Sequence, residues 1–329
     1  MKETVEKNLI LGIDTSNYKT SVAVIDRSGT ILSDFRKILK VKQGERGLRQ
    51  SDALFQHIEE LPYLLKQALP EKAGRLCAVA VSSRPRPQEG SYMPVFKAGV
   101  STAYSIGAAC GIPVYEFSHQ EGHLSAAAYS ADFTVNKEFL AYHLSGGTCE
   151  LLRVSSFSKT GYNIEILGGT KDISFGQVID RAGVLLGFDF PAGEAMDHLA
   201  QKALSKTKLL KKIPLSGLFI NLSGIDTQCR RALSAPEQRG LEDAVIKELF
   251  TRIAEVLLSL TEKAVKETKI KQVLFFGGVA SSAYIRNYIK EALQKKEIKA
   301  AFGSPALSQD NAVGTALLGM RTLYGNETR

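Results

Sequence analysis

The stretch LILGIDTSNYKTSVAVIDRSGTILS, residues 9–33, decides the fold class of this chain. Its apolar runs at 9–14, 20–26 and 30–33 are separated by short turns, which is the pattern of three strands in an antiparallel meander. The same layout returns at 139–144, 149–155 and 162–168. A three-strand unit that occurs twice predicts an internal duplication.

Helix and strand patterns follow each meander. After the first we predict a helix at 52–69 with a kink at Pro62, a strand at 77–82 and a helix at 97–110. After the second we predict helices near 175–186, 194–203 and 241–268, a strand at 272–276, a helix at 283–294, a strand at 298–302 and a helix at 311–318. This order predicts an α/β protein of two duplicated lobes with a ligand cleft between them. We assign residues 1–130 to the first lobe, with a C-terminal helix at about 310–329 returning to it, and residues 131–309 to the second.

The segment His119-Gln120-Glu121-Gly122-His123 runs directly into a helix-forming stretch. Two histidines four positions apart on a helix project from one face, which is a spacing suited to binding a single transition metal. A pair of core or solvated histidines is the alternative. The glutamate stands two positions after the first histidine, whereas zinc proteases of the H-E-x-x-H type have it one position after. Glu121 therefore points away from the histidine face, and a hydrolytic role is disfavoured.

Three turns combine glycine with small or hydroxyl residues, at 12–16, 144–148 and 276–280. Backbone amides in such turns can approach an anion closely, above all in the third, which leads from a strand into a helix. One glycine turn can reflect only a backbone requirement. Three turns at corresponding ends of a duplicated architecture favour a site for a phosphate-bearing ligand.

The composition is that of a soluble globular protein, with 44% hydrophobic and 23% charged residues among 329. No apolar run reaches membrane-spanning length, and the first residues contain no signal-peptide core. We therefore expect a cytoplasmic location and no membrane partner. The four cysteines form no Cys-x-x-Cys pair, so we expect them to be reduced.

The net charge of +8 is concentrated in a few stretches. Solvated surface is the ordinary explanation of such stretches, and a polyanionic partner such as RNA is the alternative. The basic stretches comprise Arg36, Lys37, Lys40, Lys42, Arg46 and Arg49; Lys202, Lys206, Lys208, Lys211 and Lys212; and Lys266, Lys269 and Lys271.

Several short motifs occur in a characteristic order along nearly the whole chain. They are Gly-Ile-Asp-Thr-Ser (12–16), His-Gln-Glu-Gly-His (119–123), Leu-Ser-Gly-Gly (144–147), Gly-Gln-Val-Ile-Asp-Arg (176–181), Phe-Pro-Ala-Gly (190–193), Gly-Gly-Val (277–279) and Gln-Asp-Asn (309–311). In this combination the chain resembles the universal tRNA threonylcarbamoyladenosine synthase family, once labelled O-sialoglycoprotein endopeptidases. The resemblance implies an α/β fold of the actin/hexokinase/Hsp70 (ribonuclease H-like) type.

The resemblance also implies an activity and a site. The family transfers a threonylcarbamoyl group from its adenylate to N6 of the adenosine beside the tRNA anticodon, with the help of iron or zinc. His119, His123 and Asp310 match the metal ligands. The positions that match or neighbour substrate and nucleotide contacts are Asp14, Ser145, Gly146, Gly147, Thr148, Asp180, Gly193, Gly277, Gly278 and Ser282. Asp180 is placed to accept hydrogen bonds from ribose hydroxyls, and no catalytic acid or base is assigned.

The chain departs from the family pattern at several positions, as a divergent paralogue would. Thr148 stands where the family has histidine, Ser282 where it has asparagine, Gln177 where it has glutamate and Arg181 where it has lysine. Tyr18 and Lys19 replace an acidic pair, and residues 84–90, which include Arg84 and Arg86, replace a Gly-Pro-Gly loop. These departures leave open a different acceptor, with Arg84 and Arg86 selecting another anion, or a non-catalytic regulator that binds an adenylate or ATP. The resemblance further implies partner subunits or a homodimer.

Overall fold

The computed structural model describes residues 6–16, 18–41, 48–135, 137–155 and 161–325, without the side chain of Gln238. Lys42 and Arg46 of the first basic stretch lie outside these residues. The chain divides into two compact units. The first unit comprises residues 1–136, 156–163 and 306–329, and the second comprises 137–155 and 164–305. None of the described helices combines the length and the apolar character needed to cross a bilayer.

The first unit is built on a five-stranded sheet in the order β3-β2-β1-β4-β5. The three strands of the predicted meander pair antiparallel, and β4 and β5 continue the sheet in parallel. Its elements are β1 (Leu9–Asp14), β2 (Lys19–Asp26), β3 (Ile31–Ile38), α1 (Gln50–Ala68), β4 (Leu76–Arg84), α2 (Phe96–Cys110), β5 (Val114–Ser118), α3 (His119–Ser130) and α9 (Val313–Tyr324).

The second unit repeats the meander within a seven-stranded sheet in the order β12-β11-β6-β7-β8-β10-β9. Strands β6, β7 and β8 pair antiparallel as predicted, and β11 and β12 run parallel to β6. Its elements are β6 (Phe139–Leu144), β7 (Cys149–Val154), β8 (Ile164–Thr170), α4 (Phe175–Leu185), α5 (Gly193–Lys202), β9 (Leu215–Ser216), β10 (Phe219–Ile220), α6 (Ser223–Ser234), α7 (Glu242–Thr268), β11 (Gln272–Phe276), α8 (Ala283–Gln294) and β12 (Lys299–Phe302).

Several predicted boundaries were wrong by a few residues. Strand β3 continues to Ile38 rather than ending at 33, and β8 begins at Ile164 rather than 162. Pro62 lies inside the helix α1. The prediction missed β5, α6, β9 and β10. Strand β5 has only five residues and a partly exposed face, and α6 begins with no side-chain cap and contains Gly224, so the local signals were weak.

Helix α9 packs closely on both β1 and α3, and two glycines make this possible. A Cβ atom on Gly12 of β1 would lie 2.3 Å from the carbonyl oxygen of Ala312. A Cβ atom on Gly314 would lie 1.8 Å from the carbonyl oxygen of Gly122 in α3. Because neither glycine carries a side chain, the residue before α9 comes close to β1 and the start of α9 comes close to α3. This close approach brings a distant part of the sequence to the predicted histidine pair.

Candidate metal centre

Helix α3 begins at His119, directly after β5 ends. Ser118 is its N-cap: the Ser118 hydroxyl oxygen accepts a hydrogen bond from the Glu121 amide at 3.2 Å, and the Glu121 carboxylate accepts one from the Ser118 amide at 2.8 Å. This reciprocal capping box fixes the first turn of the helix. His119 and His123 are therefore held one turn apart on one helix, as the sequence pattern predicted.

Glu121 is fully buried and serves the fold. Its second carboxylate oxygen accepts a hydrogen bond from the Tyr162 amide at 2.9 Å, in addition to the capping bonds from Ser118. The prediction that this glutamate does not act at the metal agrees with that position, because both of its oxygens are already occupied.

The structure brings His119, His123 and Asp310 together in the first unit. One ligand atom from each of the three lies within 4.8 Å of the others. The Nε2 atoms of His119 and His123 are 3.5 and 3.2 Å from the same Oδ1 atom of Asp310, and the ring centroids of the two histidines are 4.3 Å apart.

The two nitrogen-to-oxygen separations suit a metal site. Ligand atoms about 2.0–2.2 Å from one ion lie about 3.0–3.5 Å from each other in octahedral or tetrahedral geometry. Two imidazole nitrogens and one carboxylate oxygen form a donor set that iron or zinc accepts, and three protein ligands leave coordination positions open. The residues present therefore fit a catalytic type of metal site.

Asp14 stands directly behind the cluster. Its Oδ2 atom is 2.9 Å from Nδ1 of His119, and the side chain is 1% exposed at the end of β1. A carboxylate at this nitrogen keeps the proton on Nδ1 and leaves Nε2 free for a metal. The family resemblance puts Asp14 among the substrate-binding residues; the structure places it against a predicted metal ligand. The sequence offers one signal for this position, an acidic residue at the end of a central strand.

The charges in the cluster stabilise one another. Burial lowers the pKa of His119, but the Asp14 and Asp310 carboxylates outweigh that effect and raise the pKa to about 10. Burial also raises the pKa of Asp310, yet hydrogen bonds and charge from the two histidines hold it well below its usual range. A metal ion binding here would displace a proton from His119.

Lys19 adds a cation beside this centre, at a position where the resemblance implies acidic residues. Its ammonium group donates a hydrogen bond to the side-chain oxygen of Gln309. Burial lowers the pKa of Lys19, and the Asp310 carboxylate opposes that shift. The sequence shows the change of charge, but only the structure shows that Lys19 lies within the electrostatic reach of Asp310.

Residues 84–90 also lie next to the cluster within the first unit. Arg84 pairs with Ser118 at the end of the parallel strands β4 and β5. The carbonyl oxygen of Pro85 accepts a hydrogen bond from the Gln120 amide at 3.1 Å. Of the two arginines predicted to select an anion, Arg84 therefore ends β4 and Arg86 follows it in the loop whose Pro85 bonds to the first turn of α3.

In the second unit the predicted substrate turn is an exposed corner. The Ser145 amide donates to the Thr148 carbonyl at 2.8 Å, and the Thr148 amide donates to the Ser145 hydroxyl at 3.0 Å. Gly146 and Gly147 between them are exposed, with open space where a Cβ atom would be. Gly277, with a φ of 98°, packs against this corner, since a Cβ atom there would lie 2.3 Å from the Leu144 carbonyl oxygen. The two predicted glycine turns of this unit are therefore neighbours.

The other predicted nucleotide contacts of the second unit fall into two places. Oδ1 of Asp180 accepts a hydrogen bond from the Ala192 amide at 2.9 Å, next to the exposed Gly193 that begins α5. Burial raises the pKa of Asp180. Ser282 caps α8 through its hydroxyl, which also donates a short hydrogen bond to Asp197.

Asp197 is a residue that sequence reasoning missed. It accepts hydrogen bonds from the amides of Ala283 and Tyr284 at 3.0 and 3.1 Å, so its carboxylate occupies the N-terminus of α8. Asp197 therefore neutralises the N-terminus of α8, which lies just beyond the predicted glycine turn at 276–280. Gly278 itself is exposed.

Two departures from the family pattern have a structural explanation. Gln177 completes a capping box with Ser174 at the start of α4, a role that glutamine and glutamate both perform. Arg181 donates to the buried Asp226 at 3.3 Å. The loss of charge at Gln177 therefore leaves the first turn of α4 intact.

The fold defines the class of protein. Each of the two units begins with an antiparallel β-β-β meander that helices and parallel strands follow, which identifies an α/β two-lobe fold of the actin/hexokinase/Hsp70 type. Similar solved structures include full-length HypF in its phosphate- and nucleotide-bound form, with a TM-score of 0.60, 14% identity, and coverage of 98% of this chain and 57% of HypF. Component A of the Acidaminococcus fermentans (R)-2-hydroxyglutaryl-CoA dehydratase aligns with a TM-score of 0.52 and 13% identity over 94% of this chain and 96% of its own. At these identities the likeness concerns the fold alone.

Sequence comparison identifies the family. The family model TsaD, tRNA N6-adenosine threonylcarbamoyltransferase, matches residues 31–317. The tRNA N6-adenosine threonylcarbamoyltransferase of Limosilactobacillus fermentum is 30% identical over 302 residues, covering 89% of this chain and 84% of the relative. The protein of the same name from Aromatoleum aromaticum is 28% identical over 318 residues, covering 94% and 90%. The chain belongs to the TsaD family, as its motifs predicted.

Proposed function

We propose that this chain transfers a threonylcarbamoyl group from its adenylate to N6 of the adenosine next to the tRNA anticodon. The observation that carries the proposal is the cluster of His119, His123 and Asp310, backed by Asp14, in a chain of the TsaD family. In the reaction the N6 nitrogen attacks the carbonyl carbon of the threonylcarbamoyl group. The bond from that carbon to the phosphate oxygen breaks, AMP leaves, and N6 loses one proton.

The residues of the first unit would hold iron or zinc. Such an ion, when bound by His119, His123 and Asp310, supplies a Lewis acid that polarises a carbonyl oxygen. Asp14 holds the proton on Nδ1 of His119, which would leave the Nε2 atom available to the ion. Lys19 contributes positive charge beside Asp310, which favours an anionic substrate.

We assign the nucleotide part of the substrate to residues of the second unit. Asp180 would accept hydrogen bonds from the ribose hydroxyls, and Gly193 beside it leaves room for the nucleotide. The exposed corner at residues 145–148 would face the acyl-phosphate group, since Gly146 and Gly147 expose their backbone there. Gly277 packs against that corner, and Gly278 beside it is exposed and would leave room for the ligand. Ser282 is the least direct of the proposed contacts, because its hydroxyl already donates to Asp197.

A second candidate is the same chemistry with an acceptor other than tRNA. Two observations favour it. Arg84 ends β4 and Arg86 lies in the loop that follows, whose Pro85 bonds to the first turn of α3, so the two could select another anion there. Thr148 and Ser282 also replace groups that the family resemblance assigns to substrate contacts, and Asp197 occupies the helix end beside Ser282.

The test is the amount of threonylcarbamoyladenosine in tRNA from cells depleted of their own synthase. Cells expressing this chain should regain the modification, measured by mass spectrometry of digested tRNA, and cells expressing His119→Ala should not. Thr148→His is the informative second variant: it should raise the yield if the rest of the site is intact. No modification by either the soluble, metal-loaded wild type or Thr148→His would contradict the tRNA reaction.

A non-catalytic regulator is the third possibility that this experiment separates. Such a protein would bind AMP or ATP as tightly as an active synthase does, but it would release no AMP from the threonylcarbamoyl adenylate. The proposal also implies a partner subunit or a homodimer, and a cytoplasmic location. Size-exclusion chromatography with light scattering tests whether the chain forms a homodimer.

A further inference from the structure

Residues 203–214 of the second unit form a segment without helix or strand that is rich in positive charge. Between 202 and 212 the chain has five lysines and no acidic residue. We call residues 202–212 the lysine loop. All five lysines are exposed: Lys202, Lys206, Lys208, Lys211 and Lys212.

The lysine loop is held in one conformation by a buried glutamate of α7. Glu248, only 6% exposed, accepts hydrogen bonds from the Thr207 hydroxyl at 2.7 Å and from the amides of Leu209 and Leu210 at 2.9 and 3.2 Å. Arg252, one turn further along α7, donates to the Leu210 carbonyl at 2.9 Å and to Glu248 at 3.0 Å. The acidic group that contacts the loop is therefore used internally and does not neutralise the exposed lysines.

Apolar side chains anchor the same segment to the core. Ala203, Leu210 and Ile213 are 2%, 2% and 8% exposed. The Lys211 amide also donates to the side-chain oxygen of Gln228 at 2.9 Å. The backbone thus faces the core while the lysines face solvent. A basic segment that served only solubility would need no such anchoring. A binding loop that is already ordered in the free protein binds more tightly, because no free energy is lost in ordering it when the ligand binds.

The chemistry of the loop fits a nucleic-acid backbone. Lysine offers a compact, mobile charge suited to phosphate groups. The lysine loop contains no aromatic residue and no arginine, so it lacks the means to stack on bases or to read them with paired hydrogen bonds. Contacts to phosphates without base recognition are what these side chains can make.

The position of the loop suits a long ligand. It follows α5, whose first residue is Gly193, one of the proposed nucleotide contacts. Ten helical residues span about 15 Å, so a ligand that touched both ends would be larger than a mononucleotide. We propose that the lysine loop binds the sugar-phosphate backbone of an RNA, which under the proposed function is the tRNA substrate.

Direct binding tests this proposal. The purified full chain is titrated into labelled bulk tRNA, followed by fluorescence anisotropy, at a series of salt concentrations. The loop variant carries Lys206→Gln, Lys208→Gln, Lys211→Gln and Lys212→Gln. The control variant makes the same charge change at four lysines of the same unit, with Lys266→Gln, Lys290→Gln, Lys295→Gln and Lys299→Gln.

The two variants should behave differently. The loop variant should raise the Kd for tRNA at least tenfold at low salt and reduce the slope of log affinity against log salt by about 3, since each lost phosphate contact removes about 0.7–0.9. The control variant should stay within about twofold of the wild type. If the fourfold loop variant fails to fold, the pairs Lys206→Gln with Lys208→Gln and Lys211→Gln with Lys212→Gln should each give about half of the slope change.

Three results would overturn the proposal: wild-type protein that does not bind tRNA, a loop variant that binds as tightly as the wild type, or equal losses in both variants. The binding measurement does not require that the threonylcarbamoyl group be transferred to the tRNA. A protein that binds tRNA through the loop but never modifies it would contradict the proposed function and support the binding surface.

Discussion

Replacing Asp14 with asparagine should weaken metal binding without removing a metal ligand. In the wild type, Oδ2 of Asp14 is 2.9 Å from Nδ1 of His119, which is a charge-assisted hydrogen bond. Such bonds contribute about 1.5–3 kcal/mol, against about 0.5–1.5 kcal/mol for a neutral one. The side-chain oxygen of the introduced asparagine could still accept the Nδ1 proton, so the expected loss is the difference between the two.

That difference, about 1–1.5 kcal/mol, corresponds to a Kd for the metal that is about 5- to 12-fold higher in Asp14→Asn, at about 1.4 kcal/mol for each factor of ten. Asp14→Ala, which removes the hydrogen bond altogether, should approach the upper end of the roughly 10- to 100-fold range typical of residues that orient a metal-ligating histidine. Because Oδ1 of Asp14 is buried with no hydrogen-bond partner among the described residues, the asparagine amide should also lower the free energy of unfolding.

The assay is calorimetric titration of metal-free protein with Zn²⁺, repeated against a chelator of known affinity. Asp26→Asn is the matched control, because Asp26 is a carboxylate of the same unit that accepts hydrogen bonds within its own turn, from Ser28 and Thr30. It should bind Zn²⁺ as the wild type does. An unchanged Kd in both Asp14 variants, with the fold intact, would refute the role assigned to Asp14.

Three further predictions concern the scaffold of the site. Glu121→Gln should lower the free energy of unfolding by about 2–4 kcal/mol in urea denaturation, because its amide would face the donors of Ser118 and Tyr162; an effect below about 1 kcal/mol would contradict this. Gly314→Ala should destabilise by about 1–3 kcal/mol or more and also raise the Kd for Zn²⁺, since its Cβ atom would lie 1.8 Å from the Gly122 carbonyl oxygen and push α9 from α3; wild-type values in both assays would count against the packing argument. Burial raises the pKa of Asp172, but hydrogen bonds from the backbone at Leu222 and Ser223 outweigh it and depress the pKa, so its contribution to stability is complete above about pH 4 and is lost as pH falls further. Asp172→Asn should therefore have a shallower loss of thermal stability below about pH 4 than the wild type, and parallel curves would contradict that assignment.

The sequence predicted those features whose signals are local. Alternating apolar residues and short turns located both meanders, and a helical spacing of four placed His119 and His123 on one face. Asp310 was different: it is far from the histidines in sequence, and only the family resemblance pointed to it. The structure shows why the three meet, since Gly314 lets the start of α9 approach α3.

The remaining features depend on contacts that sequence patterns do not encode. The pairing of Asp14 with His119 requires the end of β1 to lie beside the start of α3, and the occupation of the α8 N-terminus by Asp197 requires α5 and α8 to pack together. Strands β9 and β10 have two residues each, too few to give a periodic signal. Glu248 looked like any charged residue on an amphipathic helix, although it fixes the lysine loop.

The most direct test of the central claim is threonylcarbamoyladenosine formed on purified tRNA by this chain and threonylcarbamoyl adenylate, quantified by mass spectrometry. The account predicts product with metal-reloaded wild type, and none with metal-stripped protein or with His123→Ala. Product that is independent of both the metal and His123 would contradict the role of the cluster. An absence of product with reloaded protein that still binds the adenylate and tRNA would contradict the proposed transfer.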